Sequence, residues 1–209
     1  MKNEKFTITN SIWNKHRLNS RKNVGCLNEI FKKYYNDNKS IFDNLTPDDF
    51  VKYYFENYMD INKFKELSNK FYTYCKAAGV NITKNEAFDF CIIRVLDETW
   101  DGFKREIDAV NNLKKWYPES DVRFSTDNDM EYCIDLEVWY DDIFLDAYQV
   151  KPVSFLKGLE KHKEYCVDEY YYINERHKKF YERYKIRPMY YISDENNVIV
   201  KDFMKLVDF

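Results

Sequence analysis

Apolar residues recur along this chain in two periods, and each predicts a different kind of element. From residue 27 to about residue 117 the spacing is helical. Leu27, Ile30, Phe31 and Tyr34 predict a helix to about Asn36. Thr46-Pro47-Asp48-Asp49 reads as the next helix start: a capping residue, a proline at the first position and two acids in the first turn. Ile61 to Ala78 forms a third helix, stopped by Gly79. Thr83-Lys84-Asn85-Glu86 is a capping box opening a fourth, which carries Ala87, Phe90, Cys91, Val95 and Leu96. Thr99 is expected to cap a fifth helix, running to about Tyr117. Its apolar face reads Phe103, Val110, Leu113 and Tyr117, and Glu106 fills the gap in that stripe. An acid there either keeps its head in water at the stripe's edge or aims at a site. Gly102 would leave room for close approach of another element or a substrate. Residues 1–24 show no clear period. Ile12 and Trp13 are expected to tuck inward, leaving Lys15, His16, Arg17, Arg21 and Lys22 exposed.

Beyond Pro118 the period changes. Asp121 to Ser125 predicts a short strand and Thr126 to Asp129 a turn. From Met130 the residues alternate: Tyr132, Ile134, Leu136, Val138 and Tyr140 on one side, Glu131, Cys133, Asp135, Glu137 and Trp139 on the other. Asp141-Asp142 is a turn, and Ile143 to Val150 a second strand ending Gln149-Val150-Lys151-Pro152. A helix follows with Phe155, Leu159, His162 and Cys166 on one side. Another, Tyr170 to Lys185, aligns Ile173, His177, Phe180 and Tyr184. Both histidines are expected in the core or at its rim. Arg187 to Ser193 and Val198 to Lys201 read as strands around a turn at 194–197. The expected organisation is a mainly helical region, 1–98, packed on an α/β (α+β) core, 99–209, as one compact domain.

Composition narrows the classes. Of 209 residues 44% are hydrophobic, which suits a folded core rather than a disordered chain. The net charge of −3 excludes bulk basicity as a route to polyanions, but its distribution is uneven. Lys2, Lys5, Lys15, Arg17, Arg21 and Lys22 face a single acid, Glu4. Asp127 to Asp146 holds acids and no Lys or Arg, and Arg176 to Arg187 is basic again. An acidic centre between basic segments suits a metal-dependent enzyme working on a polyanion. Five cysteines without a Cys-x-x-Cys pair argue against structural zinc and a disulfide framework, and fit a reducing, cytoplasmic setting. No apolar run approaches a membrane span.

The chemistry gathers at the hairpin. Gln149 and Lys151 share a face of one strand, and Asp135 lies on the other strand. An acid, an amide oxygen and a lysine together can hold a divalent ion beside a phosphodiester. Their meeting depends on register. A two-residue turn at Asp141-Asp142 pairs Tyr140 with Ile143 and turns Asp135 away from Gln149 and Lys151. The site therefore requires a three- or five-residue loop, or a bulge.

A helix with Glu106, a strand, a strand with Asp135, a strand with Gln149-x-Lys151, a helix and a strand is an order that resembles the core of the PD-(D/E)xK nuclease superfamily. The closest likeness is to the type II restriction endonucleases, over about Thr99 to Ser193. The usual proline before the aspartate is absent (Cys133-Ile134 precede Asp135), and Gln149 stands where an acid is commoner. The resemblance implies a restriction-endonuclease-like mixed sheet flanked by helices, and Mg²⁺-dependent, sequence-specific hydrolysis of double-stranded DNA by a homodimer, leaving 5′-phosphate and 3′-hydroxyl ends. Asp135, Gln149 and the Val150 carbonyl would bind the metal. Glu106 would hold a metal-bound water or a second ion, and Lys151 would orient water and stabilise charge. Glu137 ranks below these. Lys15, Arg17, Arg21, Lys22, Arg176, Lys179 and Arg183 are the candidate DNA contacts. A structure-selective or repair nuclease of the same fold, or a catalytically silent binding module, are the competing readings.

Overall fold

The computed structural model describes residues 2–125, 127–193 and 198–202. The chain divides into two compact units, Met1–Phe103 and Lys104–Phe209.

The first unit is helical. Residues without a legible period form α1 (Lys2–Lys15) and a single turn, α2 (Arg21–Val24). Thr9, Ile12 and Trp13 are the buried positions on the described part of α1, too few to leave a pattern. Trp13 is wholly buried and meets the ring of Phe71 edge-on at 5.5 Å. Lys15, His16, Arg17, Arg21 and Lys22 are exposed, as expected. The periodic helices form where their caps place them: α3 (Leu27–Asn38), α4 (Pro47–Asn57), α5 (Ile61–Ala77) and α6 (Lys84–Ile92). Thr46 with Asp49, and Thr83 with Glu86, close capping boxes. Gly79 follows α5 at φ 74°, which a side chain would resist. Phe31 lies at the centre of an aromatic cluster with Phe42, Phe50, Trp100 and Phe103, at ring distances of 4.5 to 6.1 Å.

Thr99 caps nothing. A π-helical turn, Ile93–Asp97, joins α6 to α7 (Glu98–Trp116), so the helix continues through Thr99, whose hydroxyl donates back to the Val95 carbonyl at 2.6 Å. The buried stripe of α7 is Phe103, Ile107, Val110 and Leu113, joined by Ala109. Ile107, not Glu106, completes it, and Glu106 is half-buried at the edge. A Cβ added to Gly102 meets no atom within 4 Å, so among the described residues no element makes the close approach expected there.

The second unit is built on a five-stranded sheet in the order β1 (Asp121–Phe124), β2 (Leu136–Tyr140), β3 (Ile143–Pro152), β4 (Met189–Ser193), β5 (Val198–Asp202). Neighbours are antiparallel except β3 and β4, which are parallel and therefore need a crossover. α9 (Val153–Glu160) and α10 (Glu164–Tyr184) supply it. The expected helix stripe through His162 is broken, because His162 sits exposed between these helices at φ 49°. The strand expected from Met130 begins six residues later. Asp127–Tyr132 instead forms a short helix, α8, and Cys133 takes a left-handed φ of 57° that ends any extended run. Thr126 and the turn expected at 194–197 lie outside the described residues.

The two faces of the sheet differ. Leu136, Val138, Tyr148 and Val150 pack with Ala109, Val110 and Leu113 of α7. On the other face Ala147 packs with Ile134 and with Phe180 of α10. Tyr190 and Ile192 of β4 pack with Tyr170 and Ile173 of α10 and with α9.

Candidate active site

The register of one hairpin decides whether the site exists. Asp141 and Asp142 form a two-residue turn at φ 44° and 63°, and Tyr140 pairs with Ile143. A plain ladder from that turn would separate the candidate residues. It is not plain. Val138 pairs with Asp146 but Trp139 with Phe144, so Leu145 is an extra residue, a β-bulge. The bulge shifts every later pair by one. Leu136 then opposes Tyr148, and Asp135, just before the strand, meets the Gln149 side chain.

The contacts follow. The Val150 N–H donates to Asp135 Oδ2 at 2.7 Å, and Gln149 Nε2 donates to the same oxygen. Asp135 also links the strands through its own backbone: its N–H donates to the Tyr148 carbonyl at 2.9 Å, and its carbonyl accepts from Ser125 at 2.8 Å. Gln149 is 5% exposed, and its Oε1 is buried without a hydrogen-bond partner. A buried carbonyl oxygen left bare is costly, and a cation beside the Asp135 carboxylate would satisfy it. Hard oxygens of this kind suit Mg²⁺. Among the described residues no three Asp, Glu, His or Cys side chains gather to hold a metal by themselves. An ion here would lean on Asp135, the Gln149 oxygen, backbone carbonyl and water.

Lys151, two residues along β3, is mostly covered, with a side chain 16% exposed. Its ammonium donates to Glu169 Oε1 at 2.6 Å and stands 5.4 Å from the Phe155 ring centre. Glu169 belongs to α10, as does His177, two turns on. His177 is fully buried, and burial, together with the Lys151 charge, lowers its pKa to about 4 although the Cys133 carbonyl opposes the shift. Burial likewise pushes the hydroxyl of Tyr190 up.

Glu137 has another task. It is buried, and it accepts from Ser125 Oγ at 2.8 Å, Asn128 Nδ2 at 2.8 Å and Trp139 Nε1 at 2.9 Å, with Arg123 3.7 Å away. Those partners tie the ends of β1, α8 and β2 together around the site. Glu106 is carried by α7, the helix that covers the face opposite Gln149 and Lys151.

The basic candidates fall in different surroundings. Lys15, Arg17, Arg21 and Lys22 are exposed in the first unit, with Arg21 3.4 Å from Glu29. In the second unit Arg176 donates to the Glu131 carbonyl at 2.6 Å and Arg183 to the Tyr132 hydroxyl at 2.9 Å, while Lys179 is exposed. Sequence reasoning missed Glu169 because it started the last helix at Tyr170. A start at Glu164 puts Glu169, Ile173 and His177 on one stripe at intervals of four.

The chain carrying this hairpin is a type II-like restriction endonuclease, a site-specific deoxyribonuclease whose substrate is DNA. It belongs to the MjaI restriction endonuclease family, whose model matches residues 7–199. No curated protein and no solved structure matches the chain. No helix among the described residues is long and apolar enough to cross a membrane.

Proposed function

We propose that the chain hydrolyses phosphodiesters of double-stranded DNA at a specific sequence through a PD-(D/E)xK-type site that uses Mg²⁺. The observation that carries this reading is the bulge at Leu145, which sets the Asp135 carboxylate against Gln149 and leaves Gln149 Oε1 bare. Asp135, Gln149 Oε1 and the Val150 carbonyl are the residues that would hold the ion. A bound Mg²⁺ would polarise the scissile phosphate and lower the pKa of an attacking water. Lys151 stabilises the negative charge that grows on the phosphoryl oxygens. Glu169 holds its ammonium in orientation until a phosphate competes for it. Glu106, carried by α7 on the opposite face, is left out of this ion-holding set. Residues 99–209 carry the chemistry and residues 1–98 support it. Lys15, Arg17, Arg21 and Lys22 of the first unit, and separately Arg176, Lys179 and Arg183 of the second, are the residues proposed to meet the DNA backbone. A homodimer matches a two-fold symmetric site, and reduced cysteines fit a cytoplasmic enzyme.

Digestion of mixed plasmid and phage DNA with Mg²⁺ tests this, beside Lys151→Ala and an EDTA control. Discrete bands from the parent alone are expected, with the variant slower by about 100- to 1,000-fold. A smear would indicate a nonspecific or structure-selective nuclease. Equal cleavage by parent and variant would remove Lys151 from the site.

A further inference from the structure

We propose that His177 is the positioning residue that holds Asp135 in place, by donating its Nε2–H to the backbone carbonyl of Cys133. The inference rests on the reading of Asp135 and Gln149 as the ion-holding pair.

Asp135 does not stand on a regular strand. It ends an irregular stretch, Cys133–Asp135, between α8 and β2. Cys133 enters that stretch at φ 57°, the left-handed residue that ends α8, and the Ile134 N–H donates back to the Asn128 carbonyl at 3.2 Å. α10 then holds the stretch from outside. Arg176 grips the Glu131 carbonyl at 2.6 Å, Arg183 the Tyr132 hydroxyl at 2.9 Å, and His177 Nε2 lies 3.2 Å from the Cys133 carbonyl. Three successive residues are thus held by one helix. Water can replace the exposed Arg176 contact, and the Arg183 contact is half-buried with its side chain 58% exposed. The His177 contact cannot be replaced in that way, because the ring is fully buried, with the Tyr190 ring centre 5.5 Å away. It is also the contact nearest Asp135 along the chain. A carbonyl offers no proton, so the ring must carry its own on Nε2. The same helix stripe carries Glu169, the partner of Lys151. One helix therefore positions both arms of the site: the lysine directly and the aspartate through the Cys133 carbonyl.

The test compares Mn²⁺ binding by calorimetry, without DNA, for the parent chain, Asp135→Asn, His177→Leu and His177→Gln. The leucine fills the volume without a donor, and glutamine restores an N–H. Binding at least tenfold weaker for His177→Leu, recovered in His177→Gln and lost in Asp135→Asn, is expected. Parent-like binding by folded His177→Leu, with Asp135→Asn impaired, would overturn the role of His177 and leave the site standing. Parent-like binding by Asp135→Asn would overturn the site itself. Should the leucine variant not fold, ¹⁵N spectra of the parent decide, since only three histidines contribute signals. An Nε2–H tautomer at His177 is expected, and an Nδ1–H tautomer would sink the proposal.

Discussion

The two units bury different things. In the first, the buried polar side chains among the described residues are the hydroxyls of Thr9 and Ser68, set in an aromatic interior around Trp13, Phe31 and Phe71. In the second they include a carboxylate, two amides and an imidazole: Glu137, Gln149, Asn174 and His177. Burying such groups costs stability unless each finds a partner. Glu137 and Asn174 have theirs, but Gln149 keeps a bare oxygen. Trp13 Nε1 and the Tyr34 hydroxyl of the first unit are bare as well, so the difference lies in which side chains are buried: those of the second unit include Glu137 and Gln149, on the hairpin proposed to carry the chemistry.

That contrast can be broken by substitution. The largest effect is expected at Phe31→Ala, in the centre of the aromatic cluster. It should remove about 3–5 kcal/mol from a denaturant midpoint, while the protein that remains folded cleaves normally. Loss of specific activity without loss of stability would place chemistry in the first unit. Glu137→Gln should cost about 2–3 kcal/mol, because a charged acceptor of three hydrogen bonds becomes a neutral amide. A neutral result would mean that water serves Ser125, Asn128 and Trp139 equally well.

The third effect depends on pH. His177 has a folded pKa of about 4, below its ordinary value of 6.5. Its neutral form is therefore favoured by folding, and the stability it contributes is present above pH 6.5 and lost as pH falls toward 4. Between pH 7 and pH 5 the loss should be about 2 kcal/mol. His177→Gln should flatten that slope, as seen in urea midpoints across the range, and an unchanged slope would assign it to other groups. The smallest effect is a gain. Gly102 is helical and an added Cβ meets nothing, so Gly102→Ala should stabilise by about 1 kcal/mol. Loss of DNA cleavage in that variant would instead show that substrate approaches the glycine.

Much of this was legible in the sequence, for local reasons. Caps at Thr46 and Thr83 and the stop at Gly79 act within one turn, so the residues alone place α4, α5 and α6. The alternation that located β2 and β3 is equally local. It misled at Tyr132 to Asp135, where a period of two survives in a stretch that is not a strand. Tyr132 and Ile134 are buried there by α10, and no local pattern distinguishes that from a sheet face. α1 stayed hidden because its buried described face is only Thr9, Ile12 and Trp13. The sequence showed that Asp135 and Gln149 could meet only through a register shift. The bulge at Leu145 supplies one, but its position depends on how β2 and β3 pack, which no single residue announces. Ile107 was overlooked because the stripe of α7 was counted through Glu106. Glu169 and His177 became partners of the site only when the crossover brought α10 over β3.

The most direct test of the site is a crystal structure of the parent grown with Mn²⁺, read by anomalous scattering. The expected result is a peak bonded to an Asp135 carboxylate oxygen and to Gln149 Oε1. A peak elsewhere, or clear density for Asp135 and Gln149 still joined with no ion beside them at saturating Mn²⁺, would contradict the reading of this hairpin as the metal-holding centre.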